Sequence, residues 1–184
     1  MAYLNTKERY GSLSLALHWI TFLVMIGVFA CIELHENFPK GSEIRSSLMT
    51  WHFQLGLTVL ILVLVRLVVK AMGPDPDIKP ALSRLQYLSS KAVHLALYLI
   101  MLVMPIAGFI GRTLAGKTTY FFGMALPVLL NKNEDLAENI FDVHGLIGKA
   151  AYFLIAAHVI AGLYHHYAQH DNTLTRMLPE RKKS

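Results

Sequence analysis

Six of the nine histidines in this 184-residue sequence lie inside or at the ends of long apolar runs: His18, His52, His94, His144, His158 and His165. Imidazole is polar, titratable and a common metal ligand, so its burial in an apolar segment requires a partner or a function. Any single buried histidine is more often a hydrogen-bonded core residue than a ligand. Only the arrangement of the whole set can therefore indicate its chemistry.

The apolar runs predict an integral membrane protein. Hydrophobic residues make up 54% of the sequence and charged residues only 16%, which is unlike an ordinary soluble domain. A membrane-spanning helix needs about 20 apolar residues, and four stretches provide them: 15–34, 51–72, 92–114 and 146–167. We expect an all-α, multi-pass four-helix bundle that forms a single membrane domain over 1–184. Because the connection between the third and fourth spans, 115–143, is long, part of it is expected to lie along the membrane interface.

The basic residues favour a membrane, and not a nucleic acid, as the partner of the chain. The net charge is +5, but Lys and Arg lie between the apolar runs and at the C-terminus. Of the 17 basic residues, 11 fall on the side that holds both termini, which predicts that both termini are cytoplasmic. The tail, 179–184, is expected to be a solvated cytoplasmic anchor. The single cysteine, Cys31, excludes a disulfide within the chain and a thiolate metal cluster.

Four of the histidines form two pairs at two depths of the membrane. His144 and His158 are fourteen residues apart, so on one helix they lie within about 40° of each other and about 21 Å apart along the axis. Successive spans run in opposite directions, which places His18 at the depth of His158 and His52 at the depth of His144. Six-coordinate haem iron takes one axial nitrogen from each face, so each pair predicts a b-type haem site. The chain is therefore expected to hold two b haems.

Residues near these histidines favour haem over zinc. Zinc in proteins prefers four ligands, and two histidines per site without a cysteine make a poor tetrahedral site. Small residues beside a ligand leave side-chain-free surface where a macrocycle can approach the backbone. Glycines provide such surface one helical turn after three of the histidines: Gly56 after His52, Gly148 after His144 and Gly162 after His158.

Short motifs around the histidines are specific enough to suggest a family. They are Leu17-His18-Trp19, Trp51-His52, Val65-Arg66-Leu67, Val93-His94-Leu95, His165-His166-Tyr167, Asp171-Asn172-Thr173-Leu174 and Arg176-Met177-Leu178-Pro179. With them the chain resembles, over nearly its whole length, the bacterial cytochrome b561 family and especially its small members described as superoxide oxidases. The Gly145-Leu146 pair after His144 departs from the family pattern.

The resemblance implies haem ligation by His18 with His158 and by His52 with His144, which is the pairing that depth predicts. It also implies a bacterial inner-membrane protein that transfers electrons from periplasmic superoxide to ubiquinone. At the cytoplasmic end, His94 and His165 are candidates to hydrogen-bond the quinone and supply its protons. Histidines that anchor helix ends at the lipid headgroups are the alternative. Arg66 is expected to bind a haem propionate or to extend toward the aqueous surface. 

At the outer end, three cations are expected to attract the superoxide anion: Arg112, Lys117 and Lys149. Acidic residues are interleaved with them. Lys149 lies one turn past His144 in an apolar span, where a propionate or the aqueous surface is its alternative partner.

Two other functions are open at this stage. A cytochrome b subunit that anchors a hydrogenase or dehydrogenase and passes its electrons to quinone would use the same bundle. Short loops and tails offer such a partner little docking surface, so the preferred hypothesis is an oxidoreductase that needs no partner protein. A transporter or structural bundle without haem would leave the paired histidines unexplained.

Overall fold

The computed structural model describes residues 2–178 and is mostly helical. All four long helices of this range are long and apolar enough to cross a membrane. The predicted spans lie within them, apart from Met72, which follows the last residue of the second helix. The tail predicted to be an anchor, 179–184, lies outside the described residues. The helices are α1 (Ser12–His35), α2 (Glu43–Ala71), α3 (Arg84–Leu114) and α4 (Glu134–Tyr167).

Helices α3 and α4 begin well before the predicted spans because polar residues cap their first turns. At α3, Ser83 Oγ accepts the Gln86 N–H at 3.3 Å and the Ser83 N–H donates to Gln86 Oε1 at 3.0 Å. This reciprocal pair is a capping box. At α4, Asn133 Oδ1 accepts the Leu136 N–H at 3.0 Å. The capping signals lie in charged sequence, so a prediction based on apolar length alone misses them.

The third connection is shorter than the predicted 115–143, because α4 already begins at Glu134. That part of it lies along the membrane interface stays a prediction. Glu134 and Asp135 lie in the first turn of α4, where negative charge complements the helix dipole. The true connection is residues 115–133.

The connection of this mostly helical chain contains a small β-hairpin. Strand β1 (Tyr120–Phe121) pairs antiparallel with β2 (Met124–Ala125). The two residues between them, Phe122 and Gly123, have positive φ angles of 45° and 89°, as a tight hairpin turn requires. The Phe122 N–H donates to Gln54 Oε1 of α2 at 2.7 Å, which fixes the turn to that helix.

Contacts divide the described chain into two compact units, and each contains part of all four helices. The terminal unit comprises residues 2–20, 64–99 and 151–178. The hairpin unit comprises residues 21–63 and 100–150. The prediction of a single membrane domain stays a prediction.

The terminal unit is closed by hydrogen bonds between its three non-helical segments. The Lys79 N–H donates to Asn172 Oδ1 at 2.8 Å, and the Asn172 N–H donates back to the Lys79 carbonyl at 3.1 Å. Asn172 Nδ2 donates to the Asp77 carbonyl at 3.2 Å, and the Asp77 N–H donates to the Lys7 carbonyl at 2.9 Å. These bonds join the N-terminal segment, the α2–α3 connection and the C-terminal segment. The prediction that both termini are cytoplasmic stays a prediction.

Exposed apolar side chains mark the helix surfaces that face lipid. Leu23, Phe153 and Ile160 are among many large apolar residues that are exposed. Small residues and valines occupy much of the interior, with Val59 and Val63 fully buried in the hairpin unit. Since lipid tails are as apolar as these side chains, membrane helices do not need to hide them. The chain is accordingly a multi-pass membrane protein.

Replacing the N-cap of α4 should release its first turn without unfolding the bundle. For Asn133→Ala we expect a loss of about 0.5–2 kcal/mol, because the Leu136 N–H loses its acceptor. Hydrogen exchange should become faster at Leu136 and Ala137 while the rest of α4 stays protected. Asn131→Ala in the preceding connection is the control, and equal acceleration in both variants would contradict the cap assignment.

Candidate functional site

The hairpin unit brings together His52 of α2 and His144 of α4. Their ring centroids are 6.2 Å apart. His52 Nδ1–H donates to the Val28 carbonyl of α1 at 3.0 Å. This bond places the ring proton on Nδ1 and leaves the lone pair of Nε2 for a metal, which is the usual arrangement of a ligating histidine.

His144 has an unmet hydrogen-bonding group. Its Nδ1 is buried beside the Met104 carbonyl of α3 and makes no hydrogen bond of good geometry. Buried polar atoms are nearly always paired, so this one points to a missing partner or a small reorientation. A metal at Nε2 would fix the proton on Nδ1, where the Met104 carbonyl can accept it. Gly108 lies against the same ring, since a Cβ at that position would be 3.5 Å from His144 Cε1.

The terminal unit brings together His18 of α1 and His158 of α4, with ring centroids 6.4 Å apart. His94 of α3 lies beside them, and its ring centroid is 5.2 Å from that of His158. His94 Nδ1–H donates to the Ser90 carbonyl at 2.6 Å. This unit therefore holds three neighbouring histidines, where the hairpin unit holds two.

The distances between ring centroids show which of these histidines could bind one metal ion from opposite sides. A metal–imidazole bond is about 2 Å, and the ring centre lies about 1 Å beyond the nitrogen, so two rings on opposite sides of one ion have centres about 6 Å apart. The His18–His158 and His52–His144 pairs both match this value, whereas His94 is too close to His158. Within residues 2–178, no group of three or more metal-binding side chains is arranged around one point. The donor sets fit a two-histidine haem site and not a zinc site.

Arg66 was expected to bind a haem propionate or to extend toward the aqueous surface, but in the structure its guanidinium contacts His18 and Tyr98. Its Nη2 donates to His18 Nδ1 at 2.9 Å, and the guanidinium lies 5.6 Å from the centre of the Tyr98 ring. A guanidinium only donates, so the proton of a neutral His18 ring lies on Nε2. For Nε2 to bind a metal, this proton must move to Nδ1. That change breaks the Arg66 bond and frees the guanidinium for a carboxylate.

His165 has a partner that the sequence analysis missed. Its Nδ1–H donates to Asp171 Oδ2 at 2.7 Å, and the Asp171 side chain is 2% exposed. The other oxygen, Oδ1, accepts the Thr173 N–H at 2.8 Å. Asp171 belongs to the Asp-Asn-Thr-Leu motif, so a signal was present in the sequence. That Asp171 pairs with His165 could not be predicted, because the pairing depends on the turn that follows α4.

Arg112 of α3 packs on the aromatic ring that follows His52 in α2. Its guanidinium lies 4.3 Å from the centre of the Phe53 ring, and Phe53 in turn contacts the His52 ring with centroids 5.8 Å apart. Nη2 of Arg112 donates to the Thr118 carbonyl at 3.0 Å, and Nε donates to Thr119 Oγ1 at 3.3 Å. Arg112 therefore links the Phe53 ring to the connection between α3 and α4, which carries the hairpin.

The two other predicted cations are less well placed to attract an anion. Lys117 lines a cavity of about 320 Å³ together with three carboxylates of α4: Glu134, Glu138 and Asp142. Lys149 is exposed, and at five residues beyond His144 it lies about 140° around the helix from it. Their proposed roles stay predictions.

Comparison with known proteins decides the family. The model of the family described as prokaryotic cytochrome b561 matches residues 9–180. The chain belongs to the prokaryotic cytochrome b561 family. It is 36% identical to "Cytochrome b561 homolog 1" of Escherichia coli K12 over 95% of this chain and 99% of that protein. It is 30% identical to "Probable superoxide oxidase CybB" of Yersinia pestis over 95% of this chain and 98% of that protein.

Membership of the cytochrome b561 family agrees with the two histidine pairs. Proteins of this family bind b haem within membrane helices. The expected family is thus confirmed, together with a haem-binding, multi-helix membrane architecture.

A side chain at Gly56 tests where the cofactor lies in the hairpin unit. Gly56 follows His52 by one turn on the same face, and a Cβ there would meet nothing within 4 Å. We expect Gly56→Leu to fold, because glycine costs a helix about 1 kcal/mol, but to lose haem from this site. Pyridine haemochrome analysis of purified protein measures the loss. Gly145→Leu, at an exposed helix position, is the control. Full haem content in Gly56→Leu would show that the cofactor does not lie against α2 there.

Proposed function

We propose that this cytochrome b561 is a superoxide:quinone oxidoreductase of the bacterial inner membrane, with both termini in the cytoplasm. Two superoxide anions are oxidised to dioxygen on the periplasmic side. The two electrons, with two protons, reduce one ubiquinone to ubiquinol. This reaction balances without a further reactant and without a partner protein.

The observation that carries the electron-transfer part of the proposal is the presence of a histidine pair in each unit. His18 with His158 and His52 with His144 have the ring separation that one bridging metal requires. Helix α4 supplies one histidine to each pair. A b haem bound at such a pair supplies reversible one-electron storage at its iron. Two such sites make the chain a path for electrons across the bilayer.

In the proposal, the residues of the chain bind and orient the reactants at the two ends. At the outer end, oxidation of superoxide needs only the loss of one electron, so attraction of the anion is the main requirement. Arg112, beside Phe53 and the His52 ring, provides positive charge there. Superoxide as the substrate is supported by the name of the Yersinia pestis relative. Lys117 and Lys149 would add longer-range attraction.

At the inner end, His94 and His165 are the proposed quinone contacts. Both lie in the terminal unit with the His18–His158 pair, and His94 is in ring contact with His158. Nδ1–H of His94 donates to the Ser90 carbonyl, so Nε2 of the neutral ring can accept a proton, and the protonated ring can donate Nε2–H to a quinone oxygen.

Stopped-flow mixing of superoxide with purified, quinone-loaded protein tests this function directly. We expect rapid haem reduction without any partner protein, followed by ubiquinol formation. Arg112→Gln should slow the reduction about tenfold at low salt, and salt should narrow the difference, because the charge acts by attraction. Arg112→Lys keeps the charge and should stay close to wild type.

Two results would contradict the proposal. If superoxide fails to reduce the haems while a reduced hydrogenase or dehydrogenase does so, the chain is an anchor subunit and not a free-standing enzyme. If Arg112→Lys is as slow as Arg112→Gln, Arg112 acts through its bonds to Thr118 and Thr119 and not through its charge.

A further inference from the structure

The half-buried His165 and the buried Asp171 have the arrangement of a proton-transfer pair. Both oxygens of Asp171 accept hydrogen bonds, from His165 Nδ1–H at 2.7 Å and from the Thr173 N–H at 2.8 Å. Burial raises the pKa of Asp171, but the bonds from Thr173 and His165 hold this pKa below its ordinary value. Asp171 is therefore a carboxylate at neutral pH. It fixes the proton of a neutral His165 on Nδ1 and leaves Nε2 for exchange of a second proton.

The position of His165 on α4 places it toward the inner histidine pair. His165 follows His158 by seven residues of the same continuous helix. Seven residues correspond to about 20° of rotation and about 10 Å of rise. His165 therefore projects from the same face of α4 as His158, two turns nearer the end of the helix. A quinone headgroup that accepts electrons near His158 can meet Nε2 of His165 on this face.

Water has access to the other side of the pair. A cavity of about 350 Å³ opens on the surface of the terminal unit, and Asp171 is part of its wall. His166 Nδ1, also on this wall, is a buried atom without a hydrogen-bond partner, which suits a site filled by water. Arg176 lies close by and bonds the Pro76 carbonyl. Titratable and polar groups of three segments line the cavity: Lys79, His166, His170, Asp171, Asn172 and Thr175.

We propose that Asp171 is the positioning residue of a proton relay, in which His165 protonates the quinone and is itself reprotonated through this water-accessible cavity. The inference rests on quinone reduction as the proposed function. Nε2–H of the imidazolium passes its proton to a quinone oxygen, and Nδ1–H stays bonded to Asp171. Water that enters from the cavity beside Asp171 then returns a proton to Nε2, and a second transfer completes the quinol. The two electrons come from two superoxide anions.

Replacing Asp171 with asparagine tests whether this residue acts in proton transfer or only stabilises the structure. The asparagine oxygen can still accept the Thr173 N–H, but the negative charge that favours the imidazolium is lost. We expect Asp171→Asn to slow quinol formation about 100-fold or more, and to shift its pH dependence toward lower pH. His165→Gln should slow the same step and abolish that pH dependence. Asp77→Asn makes the same charge change at an exposed residue of this unit and should behave as wild type.

The reaction should be started from haems reduced beforehand with a stoichiometric amount of dithionite, then mixed with a ubiquinone analogue. Haem reoxidation and quinol formation are followed over a range of pH, with thermal stability and haem content as further readouts. If the wild type reduces no quinone, the proposed function fails and the relay fails with it. If the wild type reduces quinone but Asp171→Asn and His165→Gln keep its rate and pH profile, the relay alone is overturned. A lower melting temperature and an unchanged pH profile in both variants would also overturn it.

Discussion

The dominant constraint on this molecule is the cost of placing imidazole rings in an apolar bundle. A polar side chain in a membrane helix has to find a partner, because neither lipid nor water supplies one there. The chain meets this constraint at His52 with a backbone carbonyl, at His18 with Arg66 and at His165 with Asp171. His144 Nδ1 stays buried and unbonded. His144 belongs to one of the two proposed haem sites, where a metal at Nε2 would fix its proton on Nδ1.

The two units place charged side chains differently beside their histidine pairs. In the hairpin unit, Arg112 packs on the Phe53 ring next to His52, while Lys117 lines a cavity together with carboxylates of α4. In the terminal unit, Arg66 lies directly on His18, and a buried carboxylate supports His165. The first arrangement suits an anion that gives up an electron at the surface. The second suits a neutral acceptor that needs protons.

Much of the helical fold could be predicted from sequence because apolar length is a direct physical requirement of the bilayer. The histidine neighbours could also be predicted, since helical periodicity and alternating direction leave one way to match His144 with His52 and His158 with His18. The helix starts could not, because the caps at Ser83 and Asn133 lie in polar sequence.

The partners of the charged side chains were harder to predict, since they depend on turns and on packing between helices. The Asp171 side chain reaches His165 only because the chain turns back after α4. In this turn the backbone N–H of Asp171 donates to the His165 carbonyl at 3.1 Å. Arg112 was expected to be one of several equivalent cations, yet its neighbours distinguish it from Lys117 and Lys149. The bond from Arg66 to His18 has no signal in the sequence, because many acceptors lie within reach of a long arginine side chain.

Haem content and redox titration of His144→Ala and His158→Ala test the central claim, that each histidine pair holds one b haem. The wild type should contain two haems per chain. Each variant should keep one, and the component that remains should differ between the two variants. Unchanged haem content in either variant, or loss of the same component from both, would contradict the two-pair account.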